Sequence, residues 1–338
     1  MRVRVINTWD RHTAIWLYSR SLCKVDNKDI SIYDEYSART GINKLKRKLQ
    51  MEMDSYFGGL FLKNNLKNYT YDIMHYADPM VPPIINNKTQ IVTIHDNPRI
   101  FLSTDLFFDY SLFSISIKKL WNRNMDKYKK FENVLTNSNY VRKSLLEYGF
   151  IGNIETVYLP IAPFFKKLQN RNEIRKELEL PDNKILLLSV SSNAKRKNLA
   201  LIEKAMKMLP DNFALVRVGT PIGNSTTFQN VSNEKLNKIY NACDVLLMPS
   251  IEEGLGLPVV EGFTTGIPVV ASDIEVFHEI GGDAVEYIDP MDVQSLIAGI
   301  KNAIENKEDM VIKGDKIALQ FSFEIFKEKM LDYYRRLL

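Results

Sequence analysis

Short apolar runs alternate with longer stretches of helical period along most of the chain, the pattern of βα units built around parallel sheets. In the second half, KILLLSV (184–190), FALVRV (213–218), DVLLMP (244–249), IPVVAS (267–272) and AVEYI (284–288) predict strands. Between them, NEKLNKIYNAC (233–243) sets Leu236, Ile239 and Tyr240 on one face, and VQSLIAGIKNAIENK (293–307) does the same with Leu296, Ile297, Ile300 and Ile304, so both predict helices. A doubly wound α/β domain is expected there. In the first half, RVRVIN (2–7), YDIMHYA (71–77), QIVTIHD (90–96) and NVLTNS (133–138) predict strands of a second parallel sheet. The segment LPIAPFFKKLQNRN (159–172) carries proline and no strong period, which predicts the linker. FSFEIFKEKMLDYYRRLL (321–338), with Ser322 as N-cap and Ile325, Phe326, Met330 and Tyr333 on one face, predicts a single helix. There is no internal repeat and no low-complexity tract.

Length agrees with two domains, since 338 residues exceed what one core usually serves. No apolar run approaches the ~18 residues of a membrane span, and the basic start MRVRVINTWDR lacks the apolar core of a signal peptide, so a cytoplasmic protein is expected. Cys23 and Cys243 have no metal-ligand spacing around them and read as buried small residues. Charge changes the picture more. Residues 1–170 carry 25 Lys and Arg against 16 Asp and Glu, net +9, while 171–338 carry 20 against 25, net −5. A basic half attracts nucleic acid, an anionic membrane surface or a phosphorylated substrate; with no nucleic-acid module beside it, nucleic acid is not expected. GINKLKRKLQMEM (41–53) places Ile42, Leu45, Leu49 and Met53 near one face and Lys44, Lys46, Arg47 and Lys48 elsewhere. It reads either as a packed amphipathic helix with a solvated face or as an interfacial helix. The aromatic-rich stretch 99–121 and the basic KYKK at 127–130 extend the second reading to a peripheral membrane protein with a lipid-linked acceptor.

The candidate chemistry lies in IEEGLGLPVVEGFTTGIPVVASD (251–273), where Glu253 and Glu261 bracket a glycine-rich bend. Pro258 suits the start of a helix and Gly266 with Pro268 its end, predicting a helix from Pro258 to Thr265 with Glu261 in the first turn. That turn aims the carboxylate toward the carboxyl end of the sheet, where open α/β sheets bind ligands. Gly254 and Gly256 let backbone N–H groups approach a ligand, and the helix start favours phosphate. Two carboxylates would repel a bare phosphate. They suit a ligand with hydroxyls as well, such as a nucleotide sugar, because each can accept two hydroxyl donors. Taken singly, Glu253 reads equally as a solvated loop residue and Glu261 as a helix-dipole charge.

The stretch 231–292, with the E-x7-E pair, the following G-x-P-V-V-A-S, and Gly-Gly-Asp-Ala before Asp289-Pro290, resembles the donor domain of retaining glycosyltransferases of family 4. The similarity extends through SVSSNAKRKNL (189–199), NVLTNSNYVRKSLLEYG (133–149) and the terminal FSFEIFKEKMLDYY, and is weak over 1–130 apart from IVTIHD. The resemblance implies the GT-B fold: two doubly wound Rossmann-like domains facing a central cleft, an acceptor domain over 1–164, a donor domain over 165–320, and a helix over 321–338 returning to the first. It implies that Glu261 holds the ribose hydroxyls, that Glu253 holds the transferred sugar with the amides of Gly254, Leu255 and Gly256, and that Lys197 contacts the diphosphate with Asn198 beside it. His95 would reach the sugar from the acceptor domain; the other reading of the residue is a satisfied core histidine at a strand end. Lys195 reads as part of a solvated basic run, and Asp96 as a capping or orienting group. The implied reaction moves a hexose of the mannose or glucose type, with retention, from a nucleotide sugar to a glycan or lipid-linked acceptor, using no metal and no cofactor.

Two departures qualify this. Family members commonly carry Gly-Arg after the strand preceding the lysine; here Ser191, Ser192 and Asn193 stand there, and Arg196 is the candidate for the second charge. The N-terminal loop, often glycine-rich, reads INTWDRHTAIWLY. No carboxylate pair is placed as nucleophile and acid of a hydrolase, and no G-x-G-x-x-G follows an early strand, which argues against hydride transfer. A nucleotide-sugar epimerase or phosphorylase on the same scaffold, and a non-catalytic nucleotide-sugar-binding module, remain as alternatives.

Overall fold

The computed structural model describes residues 1–6, 14–26, 31–34, 70–79, 83, 88–98 and 122–337. The segments 41–53 and 99–121 and most of the N-terminal loop lie outside them. The chain divides into two compact units, one holding the described residues up to Pro160 together with those from Phe323 onward, the other Ile161–Ser322.

In the first unit, β1 (Arg2–Ile6), α1 (Ala14–Leu22), β2 (Ser31–Asp34), β3 (Ile73–Tyr76), β4 (Thr89–Ile94), β5 (Asn133–Thr136), α2 (Asn139–Glu147) and β6 (Asn153–Thr156) follow in order. The six strands form one parallel sheet ordered β2-β1-β3-β4-β5-β6. Met74, Tyr76, Val92, Ile94 and Val134 from the strands pack with Val141 and Leu145 of α2 in one core. Full burial of each aliphatic side chain contributes about 1.5–3 kcal/mol. Ser138 caps α2, its hydroxyl accepting the Val141 N–H at 3.1 Å.

The second unit runs α3 (Arg171–Glu177), β7 (Ile185–Val190), a 3-10 turn (Lys195–Lys197), α4 (Leu199–Met208), β8 (Phe213–Val218), β9 (Thr226–Phe228), α5 (Asn233–Ala242), β10 (Val245–Met248), α6 (Leu257–Thr265), β11 (Val269–Ser272), α7 (Glu275–Gly281), β12 (Val285–Ile288), α8 (Val293–Glu305) and α9 (Lys307–Ala318). Its sheet is parallel, ordered β12-β11-β10-β7-β8-β9. Leu186, Leu187 and Leu188 of β7 are all fully buried, which is why this strand reads as an unbroken apolar run.

α10 (Phe323–Arg336) belongs to the first unit. Tyr334 Oη lies 2.7 Å from His75 Nδ1 of β3, and the Arg336 guanidinium grips both oxygens of Glu155 in β6 at 2.8 and 2.7 Å. The chain passes from one unit to the other between Pro160 and Ile161, inside the stretch 159–172, and the rest of that stretch is fastened to the second unit. Phe165 is buried against Tyr240, the Lys166 and Leu168 amides donate to Asn237 Oδ1 and Asn241 Oδ1 at 3.0 and 2.7 Å, and α3 begins at Arg171. Asparagines of α5 thus fasten a segment whose own sequence carries no period. Among the described residues no helix is long and apolar enough to cross a membrane.

Candidate active site

The winding of the second sheet reverses between β7 and β10. Loops leaving the carboxyl ends of such a pair diverge and leave a crevice, where open α/β sheets take their ligands. Here they are residues 191–197 and 249–256, and they are bonded to each other. The Ile251 N–H donates to the Arg196 carbonyl at 2.8 Å, and Arg196 Nη1 donates to the Glu252 carbonyl at 2.9 Å and to Glu253 Oε2 at 2.7 Å. Lys197 Nζ pairs with Glu253 Oε1, which also accepts from Ser250 Oγ at 2.8 Å. The side chains of Glu253, Arg196 and Lys197 are 5, 11 and 13% exposed. The structure therefore joins in one buried cluster the carboxylate expected to hold a sugar and the cations expected to hold its diphosphate. Arg196, read from sequence as the second diphosphate charge, has Nη1 committed to Glu253 and the Glu252 carbonyl, so in this structure it orients the carboxylate.

Burial acts to raise the Glu253 carboxyl, but the Lys197 ammonium and Arg196 guanidinium beside it, with hydrogen bonds from Lys197 and Ser250, outweigh burial and hold it down to about 2. Eight residues on, the outcome reverses. α6 starts at Leu257, so Glu261 is its fifth residue and falls just past the first turn, not within it. Burial pushes the Glu261 carboxyl up to about 7, with only a 2.5 Å hydrogen bond from Tyr240 Oη opposing the shift. One carboxylate is ionised throughout the working range; the other changes charge near neutrality.

Gly254, Leu255 and Gly256 are buried, linking Glu253 to α6. Gly256 adopts φ +86, and a Cβ there would stand 2.5 Å from Phe277 Cε1, so the bend demands glycine twice over. Asn198, expected beside Lys197 at the diphosphate, instead donates its amide to the Pro290 carbonyl at 2.8 Å, following a left-handed backbone at φ 53 that opens α4. His95 follows β4 in the first unit and is 8% exposed. Its Nε2 donates to the Ala77 carbonyl at 2.8 Å, which fixes the neutral tautomer and leaves Nδ1 buried with its lone pair unpartnered among the described residues. Burial lowers its pKa, opposed by the Ala77 contact and the nearby Asp96 charge. Among the described residues no three His, Cys, Asp or Glu side chains are grouped as metal ligands would be.

Residues 170–316 match the family described as "Glycosyl transferases group 1". This span contains every candidate except His95. The chain is 26% identical over 266 residues to the O-antigen chain mannosyltransferase RfbU of Salmonella typhimurium, covering 73% of this chain and 69% of that protein. It is 33% identical over 126 residues to the O-antigen chain mannosyltransferase B of Escherichia coli, a match spanning 36% of this chain and 33% of the relative. Sucrose-phosphate synthase from Thermosynechococcus elongatus superposes with a TM-score of 0.79 at 15% identity, covering 100% of this chain and 99% of that one. Anabaena HepE, solved in complex with UDP-glucose, superposes at 0.74 and 13% identity, covering 99% and 100%. The chain is a glycosyltransferase whose residues 170–316 match the group 1 family. Its fold is GT-B.

In this glycosyl transferase the sequence reading missed two partners of the glutamates. Ser250 stands three residues before Glu253, a spacing that could have pointed to it. Tyr240 was read only as part of the apolar face of α5; its hydroxyl turns out to hold Glu261.

Proposed function

We propose that this enzyme moves a hexose of the mannose or glucose type from a nucleoside diphosphate sugar to a hydroxyl of a glycan or lipid-linked acceptor, retaining anomeric configuration without a metal ion. The observation that carries the reading is the buried cluster of Glu253, Arg196 and Lys197 at the switch point of the second sheet, continued by the Gly254–Gly256 bend into the helix bearing Glu261. A diphosphate arriving beside Lys197 competes with Glu253 for the ammonium, and each Glu253 lone pair so released accepts a sugar hydroxyl. Ionised Glu261 accepts the ribose diol. As the bond from the anomeric carbon to the diphosphate breaks, negative charge grows on the departing phosphate. A lysine ~4 Å away contributes about 4 kcal/mol at an effective dielectric near 20, whereas a helix terminus gives roughly 0.3–1 kcal/mol. Lys197 is the dominant electrophile. The acceptor oxygen bonds to the anomeric carbon, and its proton passes to the departing phosphate.

Support for the sugar and acceptor comes from the two relatives named O-antigen chain mannosyltransferases, and for the donor class from the UDP-glucose in HepE. A lipid-linked acceptor suits a cytoplasmic enzyme held at the inner membrane face by its basic half, and sedimentation with anionic liposomes tests that attachment. The deciding experiment is a screen of UDP- and GDP-hexoses by thermal shift, followed by NMR of the transfer product in excess chelator. A thermal shift with no donor hydrolysis would leave a binding module, and an inverted product would remove the retaining mechanism.

A further inference from the structure

Beneath the loop that precedes Lys195–Lys197 lies the largest fully buried side chain of the described residues, Arg217 of β8, with 0% exposure. Among the described residues no carboxylate pairs with it. Its four Nη hydrogens go to carbonyls: Nη1 donates to Ser189 at 3.0 Å and Val218 at 2.7 Å, Nη2 to Ser191 at 2.6 Å and Ser192 at 3.3 Å. Among the described residues, the buried Nε has no partner. A buried cation stabilised only by carbonyl dipoles is an expensive arrangement, and burial lowers the Arg217 pKa to about 10. The space is built around it: Gly219 has φ +137, and a Cβ there would stand 2.4 Å from the Ser191 carbonyl oxygen and 2.8 Å from Arg217 Nη2.

Peptide planarity turns this into a statement about the opposite side of the loop. In a trans peptide the C=O of one residue and the N–H of the next point in opposite directions. With the Ser191 and Ser192 carbonyls drawn inward onto Arg217, the N–H groups of Ser192 and Asn193 face away from it. Both residues are exposed, and no backbone carbonyl among the described residues accepts from either N–H. Successive outward amides make an anion-binding concavity, two and four residues from Lys195 and Lys197 respectively.

We propose that Arg217 is a positioning residue for the donor diphosphate, holding the Ser192 and Asn193 amides outward as phosphate donors in a loop whose own arginine, Arg196, is turned onto Glu253. The inference rests on the nucleoside diphosphate reading above. The test measures binding of UDP and GDP, and of uridine and guanosine, to the full-length protein by calorimetry. Arg217→Lys keeps a charge but cannot bridge four carbonyls. It is expected to weaken diphosphate binding about tenfold or more while nucleoside binding stays within about twofold. Asn193→Pro, which deletes one outward N–H on an exposed loop without touching the core, is expected to show the same selective loss and covers the case in which Arg217→Lys fails to fold. Unchanged diphosphate affinity in a folded variant, or an equal loss for diphosphate and nucleoside, overturns the inference alone. Wild-type protein that binds neither diphosphate overturns the donor reading and this inference with it.

Discussion

Two buried polar clusters, one in each unit, are of opposite kinds. At the switch point of the second sheet the cluster is charged, with Glu253 ionised against Arg196 and Lys197. The network around His75 in the first unit is neutral. His75 bridges Thr93 Oγ1 and Tyr334 Oη, each at 2.7 Å, Tyr18 Oη meets Thr93 Oγ1 at 2.8 Å, and burial holds His75 down to about 3. Both sets lie away from water, so the difference is in what they answer to. A neutral network saturated by its own members stabilises a fold and is indifferent to ligand. A carboxylate clamped by two cations is a set of charges that a charged ligand can rearrange.

Substitution of Glu253 breaks the contrast most sharply. Glu253→Gln strands Arg196 and Lys197 without a counter-charge, and urea denaturation is expected to show a loss of about 3–5 kcal/mol; a near-native midpoint would mean the cations reach solvent unaided. Next in size, Lys197→Ala is expected to lower turnover by roughly 10²–10³, or about 2.7–4 kcal/mol of barrier, and near-normal turnover removes the lysine from the chemistry. On the neutral side, Tyr334→Phe leaves His75 Nδ1 unsatisfied and is expected to cost about 1–3 kcal/mol of stability, with kcat unchanged; a kcat that fell with stability intact would give the network a functional part. A pH series sharpens the comparison between the two glutamates. Because folding raises the Glu261 pKa from 4.5 to about 7, its contribution to stability is complete below pH ~4.5 and is lost as pH rises through 7. Relative to Glu261→Gln, the donor-free wild type is expected to lose about 3 kcal/mol between pH 4.5 and 8. The Glu253 contribution runs the other way, lost only as pH falls from 4.5 toward 2.

Much of this was legible in the sequence because it is local. β8 was bounded to the residue, β7 and β10 to within one, since a strand buried on both faces is a continuous apolar run. β6 (NIET) and β9 (TTF) escaped because they are short, polar edge strands. Lys197, Glu253 and Glu261 were singled out through spacing and family likeness, and the structure pairs the first two. What spacing could not give was the side-chain pairing across strands. The Asn198 amide turns to Pro290, 92 positions away, and Arg217 looks inward from a strand whose charge invites a solvent-facing reading. An arginine in the middle of FALVRVG was the one available signal that something beneath the sheet edge required a cation.

The return of α10 to the first unit has a kinetic consequence. The bond between His75 and Tyr334 closes a separation of 259 positions, and Phe326, Met330, Tyr333 and Tyr334 are all buried there. On a ribosome the first sheet therefore emerges with one flank bare and waits, apolar surface exposed, while the whole of the second unit is synthesised. Expression at lower temperature or with a chaperone holding that flank should raise the yield of folded enzyme, and a peptide spanning the final helix, added in trans, should compete with it during refolding.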